Sequence, residues 1–269
     1  MELREAARVL GVHYQTAYGW VRQGVLPARK SGRGYEVLEA DVQALASRRA
    51  AGEPPRRVIR IRDWDAQARR LFEALAAGDE PLARQRVTRL AGGVPLVDLC
   101  ERIIGPAMRR IGDEWAAGQL SIAAEHRASV ICERLVALRS GQPGGRPRGV
   151  AVVTTPAGER HGLPALMAAA CLRQDRWHVH HLGCDLPTAE IAAMAGQTSA
   201  DLIVLSAATM DGATAAEFTA GELAALLPAR RVLAGRPGDR LSELLVLAAP
   251  AARDQAAGPS PSRPPVTLG

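Results

Sequence analysis

Two groups of residues in this sequence have the types and spacing to do chemistry. The first is Glu159 and His161, two positions apart in the stretch Thr154–Pro164, which reads TTPAGERHGLP. A neutral imidazole is a good transition-metal ligand. A carboxylate beside it can accept the other ring N–H and fix tautomer and orientation. The second group is Trp115, Glu125 and His126, with nine residues between the tryptophan and the glutamate. A tryptophan closing one helix, with a Glu-His pair about one turn into the next, brings an indole face, a carboxylate and an imidazole to one end of a helical hairpin. Such a set can stack on and hydrogen-bond a polar aromatic group.

These residues need elements to hold them. The chain has 269 residues, 47% of them hydrophobic but only 3% aromatic, so its core is built mainly of Ala, Leu and Val. Pro/Gly/Arg-rich breaks at Ala51–Arg57 and Ser140–Gly149 read as linkers, and residues 251–269 read as a disordered tail. Residues 1–50 hold short helical patterns. Residues 62–140 hold four longer ones, about Trp64–Ala77, Glu80–Gly92, Pro95–Ala116 and Ser121–Ser140, which predicts a four-helix bundle. Over 149–250 strand and helix alternate, which predicts a parallel sheet with covering helices. The fold class is therefore multidomain, α followed by α/β. Glu159 and His161 fall in the loop after the first strand, where open parallel sheets bind ligands.

Charge is concentrated at the front. Residues 1–70 carry 14 Arg and Lys against 8 Asp and Glu, which accounts for the whole net charge of +6. A basic segment suits a polyanion, because neutralising phosphates releases counterions. Leu3–Leu10 reads as a helix, Gly11-Val12 as a turn, and His13–Gln23 as a second helix carrying Thr16, Tyr18 and Arg22. A basic hairpin with Arg29, Lys30 and Arg33 follows, then a helix from Leu38 to Arg49. The stretch AARVLGVHYQTAYGWVRQGVLPARKSGRGY resembles the winged helix–turn–helix of the MerR family. The resemblance implies that the second helix enters the major groove of double-stranded DNA and that the wing contacts adjacent phosphates.

The α/β segment resembles the Rossmann-like, flavodoxin-type cobalamin-binding domain of methionine synthase and its relatives. Their pattern is Asp/Glu-x-His-x-x-Gly, then Ser-x-Leu/Thr about forty residues on, then Gly-Gly. Here Glu159 and His161 fill the first slot, Ser206 falls 45 residues after His161, and Gly235 follows. The resemblance implies that His161 is the lower axial ligand to cobalt and that the nucleotide tail lies in a groove past Ser206 and Gly235. Pro164, Ala208 and Arg236 depart from the pattern, and the fifth strand and final helix of such domains are not visible after Leu247.

The spacing of Trp115, Glu125 and His126, and the order of the three segments, resemble the CarH and LitR type of adenosylcobalamin-dependent light-sensing regulators. That resemblance implies that the three residues cap the adenosyl group. It also implies a repressor whose oligomeric state, dimer or tetramer, follows light through the cofactor. In that type a His commonly follows the Trp; here the position is Ala116, and His126 is the nearest substitute in sequence. Two other readings are a regulator of this architecture without cobalamin and a corrinoid carrier for methyl transfer. No phosphate-binding glycine loop or catalytic triad points to an enzyme. No stretch has the roughly 20 apolar residues a membrane span needs, and Cys100, Cys132, Cys171 and Cys184 are spaced like reduced, buried cytoplasmic thiols.

Overall fold

A computed structural model describes residues 1–23, 25–32, 34–50, 63–91, 93–141 and 143–249. The linker expected at Ala51–Arg57, the tail expected over 251–269, and Arg33 lie outside the described residues.

The N-terminal unit is α1 (Leu3–Val9), α2 (Tyr14–Gln23), the hairpin β1 (Ala28–Ser31) and β2 (Gly34–Val37), and α3 (Glu39–Ala50). Gly11 makes the turn between the first two helices at φ +62°, a left-handed conformation that glycine adopts without a Cβ clash. Leu3, Ala6, Leu10, Ala17, Leu26, Val42 and Leu45 form a separate small core. The two later helices begin one residue after the predicted starts.

In the bundle, α4 (Trp64–Ala77) is capped by Asp63, whose side chain accepts from the N–H of Ala66, and ends at Gly78 with φ +73°. Next come α5 (Glu80–Ala91), α6 (Leu96–Leu99), α7 (Gly105–Ala116) and α8 (Ile122–Arg139). The single helix expected over Pro95–Ala116 is interrupted by a π-helical turn, Cys100–Ile104. Pro106 has no N–H to give to the ladder there, and the N–H of Gly105 bonds the carbonyl of Cys100. Leu71, Leu75, Ile104, Ile111, Cys132 and Leu135 fill the interior.

The third unit runs β3 (Val150–Thr154), α9 (Gly162–Gln174), β4 (His178–His181), α10 (Thr188–Gln197), β5 (Leu202–Leu205), α11 (Met210–Leu226), β6 (Arg231–Ala234) and α12 (Leu241–Ala248). All strands are parallel, in the order β4-β3-β5-β6. The connections change direction between β3 and β5, so the crevice expected of a doubly wound sheet lies at the carboxyl ends of these two strands. α9 and α12 cover one face and α10 and α11 the other. α12 is a final helix that the sequence did not mark, and no fifth strand follows among the described residues.

The bundle rests on α9. Leu163, Ala170 and Cys171 of α9 belong to the bundle's own core. At the far end the side chain of Gln174 donates to the carbonyl of Arg139 at 3.1 Å, so the C-termini of α8 and α9 meet. Cys100, Cys132 and Cys171 are buried as expected, but Cys184 is exposed on the loop after β4. Among the described residues no helix is long and apolar enough to cross a membrane.

Candidate functional site

His161 is the N-cap residue of α9, at the carboxyl end of β3, and its side chain is 61% exposed. Glu159 is the opposite, only 1% exposed. One carboxylate oxygen, Oε1, lies 2.5 Å from His161 Nδ1 and accepts the His161 N–H at 3.0 Å. The other, Oε2, accepts from the N–H groups of Ala208 (3.0 Å) and Thr209 (3.1 Å) and from the Thr209 hydroxyl (2.9 Å). Burial pushes this carboxyl up, but the donors from His161, Ala208 and Thr209 outweigh it and hold its pKa at about 2. Glu159 is therefore a buried anion. Its contact to Nδ1 leaves Nε2 as the free ring nitrogen of an exposed imidazole, the form a metal ligand needs.

The rest of the loop is fixed as well. The Thr155 hydroxyl donates to the carbonyl of Glu159 at 2.5 Å and accepts the N–H of Asp185 at 2.9 Å. Asp185 in turn accepts the N–H of Gly158 at 2.8 Å. Thr209 caps α11, so the Oε2 side of Glu159 sits at that helix's N-terminus. Sequence reasoning missed Thr155, Asp185 and Thr209. A threonine immediately before a helical run was the available signal for Thr209.

Ser206 and Gly235 line a cavity of about 420 Å³ just beyond the ends of β5 and β6. A Cβ on Gly235 would meet the Leu205 carbonyl at 3.1 Å, so glycine lets β6 close against β5 at this rim. Met167, Val204, Leu233 and Leu244 make much of the lining apolar. Pro164 lines it too; it stands third in α9, within the first turn, where a missing N–H costs no ladder bond. Ala208 belongs both to this lining and to the donors of Glu159, so cavity and histidine loop share a wall.

Trp115 closes α7 and is 47% exposed. The N–H groups of Gln119 and Leu120 bond back to the carbonyl of Glu114, which turns the chain tightly into α8. The Ser121 cap sets the start of α8 and puts Glu125 and His126 in its first turns. Glu125 Oε2 lies 3.6 Å from His126 Nε2, and Oε1 accepts from the Ser129 hydroxyl at 2.9 Å. The three residues share one end of the hairpin, and the indole stays open to solvent.

In the N-terminal unit Thr16 and Arg22 are exposed on α2, and Arg29 and Lys30 are exposed on β1. Tyr18 is half-buried, stacked on Tyr14 at 6.2 Å and edge-on to Tyr35 of β2 at 5.8 Å. It thus fixes the hairpin against α2.

Residues 1–50 match a helix-turn-helix domain, and residues 67–139 and 149–261 each match a B12 binding domain. The chain is 24% identical over 251 residues to the HTH-type transcriptional repressor CarH of Myxococcus xanthus, covering 83% of this chain and 84% of that protein. Among solved structures it is similar to the monomethylamine corrinoid protein of Methanosarcina barkeri, with a TM-score of 0.55 and 14% identity over 70% of this chain and 99% of that one. That second likeness concerns the fold.

Proposed function

We propose that this chain, which joins a helix–turn–helix domain to two B12-binding domains, is a cobalamin-sensing DNA-binding repressor that acts in the cytoplasm as a light-responsive oligomer. The observation that carries the reading is the Glu159–His161 pair: a buried carboxylate holds one ring nitrogen and leaves the other free on an exposed side chain. His161 is the lower ligand to cobalt, and the cavity past Ser206 and Gly235 receives the nucleotide tail. Its volume is in the range of small-molecule sites.

Bound adenosylcobalamin would supply a cobalt–carbon bond that visible light breaks. The chain's part is recognition. Trp115 offers an exposed indole face to the adenine, and Glu125 and His126 offer polar partners to the ribose hydroxyls of the adenosyl group. Support for a shared site comes from the α8–α9 joint. Counting 13 residues back from the contact between Arg139 and Gln174 reaches His126 on α8 and His161 on α9. Both lie about 20 Å along packed helices from the same end.

On the DNA side, Thr16 and Arg22 of α2 reach into the major groove and Arg29 and Lys30 of β1 contact phosphates, as does Arg33, which lies outside the described residues; Tyr18 buttresses the wing. The protein is a regulator, not an enzyme. A ligand shifts assembly only by its differential affinity for the two states, so loss of the cap releases the state it stabilised.

The test is reconstitution of the full chain with adenosylcobalamin in the dark, followed by an absorbance spectrum, a sizing column and an operator-binding assay before and after illumination. The expected result is a bound corrinoid, a light-dependent change in size and a matching loss of DNA binding. A chain that takes up no corrinoid overturns the reading.

A further inference from the structure

The cavity past Ser206 and Gly235 is walled by the α/β unit except at one point, where Arg109 of α7 reaches it from the bundle. Arg109 folds back along its own helix. A Cβ on Gly105, four residues earlier, would lie 3.4 Å from Arg109 Nη1 and 3.0 Å from the Cys100 carbonyl, so a larger residue there would crowd the guanidinium. The same arginine also lines a second, smaller cavity beside Glu101 and Gly105, which shares with the first the segment Gly238–Leu241. This segment is held by the bundle. Glu101 accepts the Ser242 N–H at 2.6 Å and pairs with Arg240 at 3.2 Å. Burial raises the Glu101 carboxyl, and these donors outweigh it and bring it below the usual carboxylate range.

Three arginines thus surround an apolar cavity, and they are not equivalent. Arg240 is paired with Glu101 and Arg236 with Glu217. Arg109 has no carboxylate partner among the described residues. The carboxylates of Asp239 and Glu243 also line the cavity, so its rim is not a general basic patch, and Asp239 is already engaged by the Arg236 N–H. An apolar interior with one uncommitted guanidinium at the rim fits a ligand segment that carries an aromatic base and a single phosphodiester.

Resting on the cobalamin reading above, we propose that Arg109 binds the phosphate of the corrinoid's nucleotide tail, so the tail site is completed by the bundle. The bundle then reads both sides of the ligand, the upper group through its exposed hairpin end and the tail through α7. Occupancy of the tail groove favours the bundle seated on the α/β unit, because Arg109 reaches the phosphate only in that arrangement.

The experiment compares aquocobalamin with diaquocobinamide, the same macrocycle without nucleotide or phosphate, by absorbance titration of the full-length wild type, Arg109→Ala and Arg109→Lys. Arg109→Ala is expected to bind cobalamin about ten-fold more weakly, as loss of a hydrogen bond to a charged group implies, and to bind cobinamide as the wild type does. Arg109→Lys restores part of the loss. An equal fall for both corrinoids, or no fall for either, overturns the proposal while leaving cobalamin sensing intact. A wild type that binds neither corrinoid overturns both. Unchanged thermal unfolding of the apo variants shows that the difference lies in the ligand contact.

Discussion

The carboxylate of Glu159 lies so close over Gly212 that a Cβ at Gly212 would fall 2.1 Å from Oε2. Gly212 is in the first turn of α11, and its own N–H donates to the Thr209 hydroxyl at 3.0 Å. The absent side chain is what lets a buried carboxylate reach the N–H groups of Ala208 and Thr209. Gly212→Ala is therefore expected to destabilise the fold by about 1–3 kcal/mol, the cost of overpacking a filled site, although alanine is the better helix former. Chemical denaturation measures it. Stability equal to the wild type would mean that Glu159 can move aside without loss.

Glu159→Gln keeps the shape and removes the charge. The amide cannot both accept from Ala208 and Thr209 and hold the Nδ1 hydrogen of His161 as an anion does. Loss of a partner of this kind lowers metal-site affinity about 10- to 100-fold, and a cobalamin titration at neutral pH should show it. The stability effect carries a pH signature. The folded carboxyl titrates at about 2 against an ordinary 4.5, so its contribution is fully present above 4.5 and is lost as pH falls from there through about 2. The urea-unfolding advantage of wild type over Glu159→Gln should be constant from pH 7 to 5 and shrink at pH 3. A gap that widens on acidification would contradict the assignment.

His161→Ala removes an exposed ring but also the Nδ1 donor of the buried Glu159 carboxylate, so the apo protein should lose about 1–3 kcal/mol of stability. Its corrinoid affinity should fall sharply, and any corrinoid that still binds should show the spectrum of a cobalt without a histidine ligand. An unchanged spectrum would remove His161 from the metal.

Lys30→Ala and Arg29→Ala probe the wing. Both side chains are exposed on β1, and neither contributes to the small core. Each lost phosphate contact should lower the slope of log K against log salt by about 0.9 and weaken binding to all sequences alike. A variant whose affinity drops for one operator only would be reading bases.

Much of this was legible in the sequence, and the reason differs by element. The bundle helices could be bounded because their ends carry explicit chemistry: Asp63 before α4, Gly78 after it, Ser121 before α8. Three of the four strands stood out as short Val- and Leu-rich runs between helices, and β4, His-rich, by its place in the alternation. His161, Ser206 and Gly235 could be singled out by resemblance to the spacing of cobalamin-binding domains, and each lies beyond the end of a strand. The network around Glu159 could not be read, because it joins residues about fifty positions apart, the loop after β3 and the N-terminus of α11, which only the folded sheet brings together. The π turn at Cys100–Ile104 was hidden for another reason: its residues keep a helical pattern, and only Pro106 gives it away. Arg109 carried no signal, since nothing local distinguishes it from its neighbour Arg110, which pairs with Glu114 on the helix surface.

Trp115 poses the sharpest question about the switch. It is a large indole left 47% exposed at the end of α7, next to a tight turn and beyond the buried residues Ala107 and Ile111 that hold α7 in the bundle. Only about half of the indole is buried in the apo chain, so Trp115→Ala should cost about 1–2 kcal/mol of stability, less than a core tryptophan would. With ligand bound, the indole has an adenine to stack on, and aromatic stacking on a base is worth ~1–3 kcal/mol. A methyl or water ligand offers no such face. Wild type should therefore prefer adenosylcobalamin over methylcobalamin in the dark, and Trp115→Ala should lose about ten-fold or more of that preference. Its affinity for methylcobalamin should not change, because His161 is untouched on the opposite side of the macrocycle. Glu125, already engaged by Ser129 and facing His126, should contribute less when changed to Gln, since a neutral amide can still accept from a sugar hydroxyl. The decisive measurement is the pair of dark affinities in each variant. If Trp115→Ala loses affinity for both corrinoids equally, the indole supports the bundle and does not read the upper ligand, and the light response must arise elsewhere.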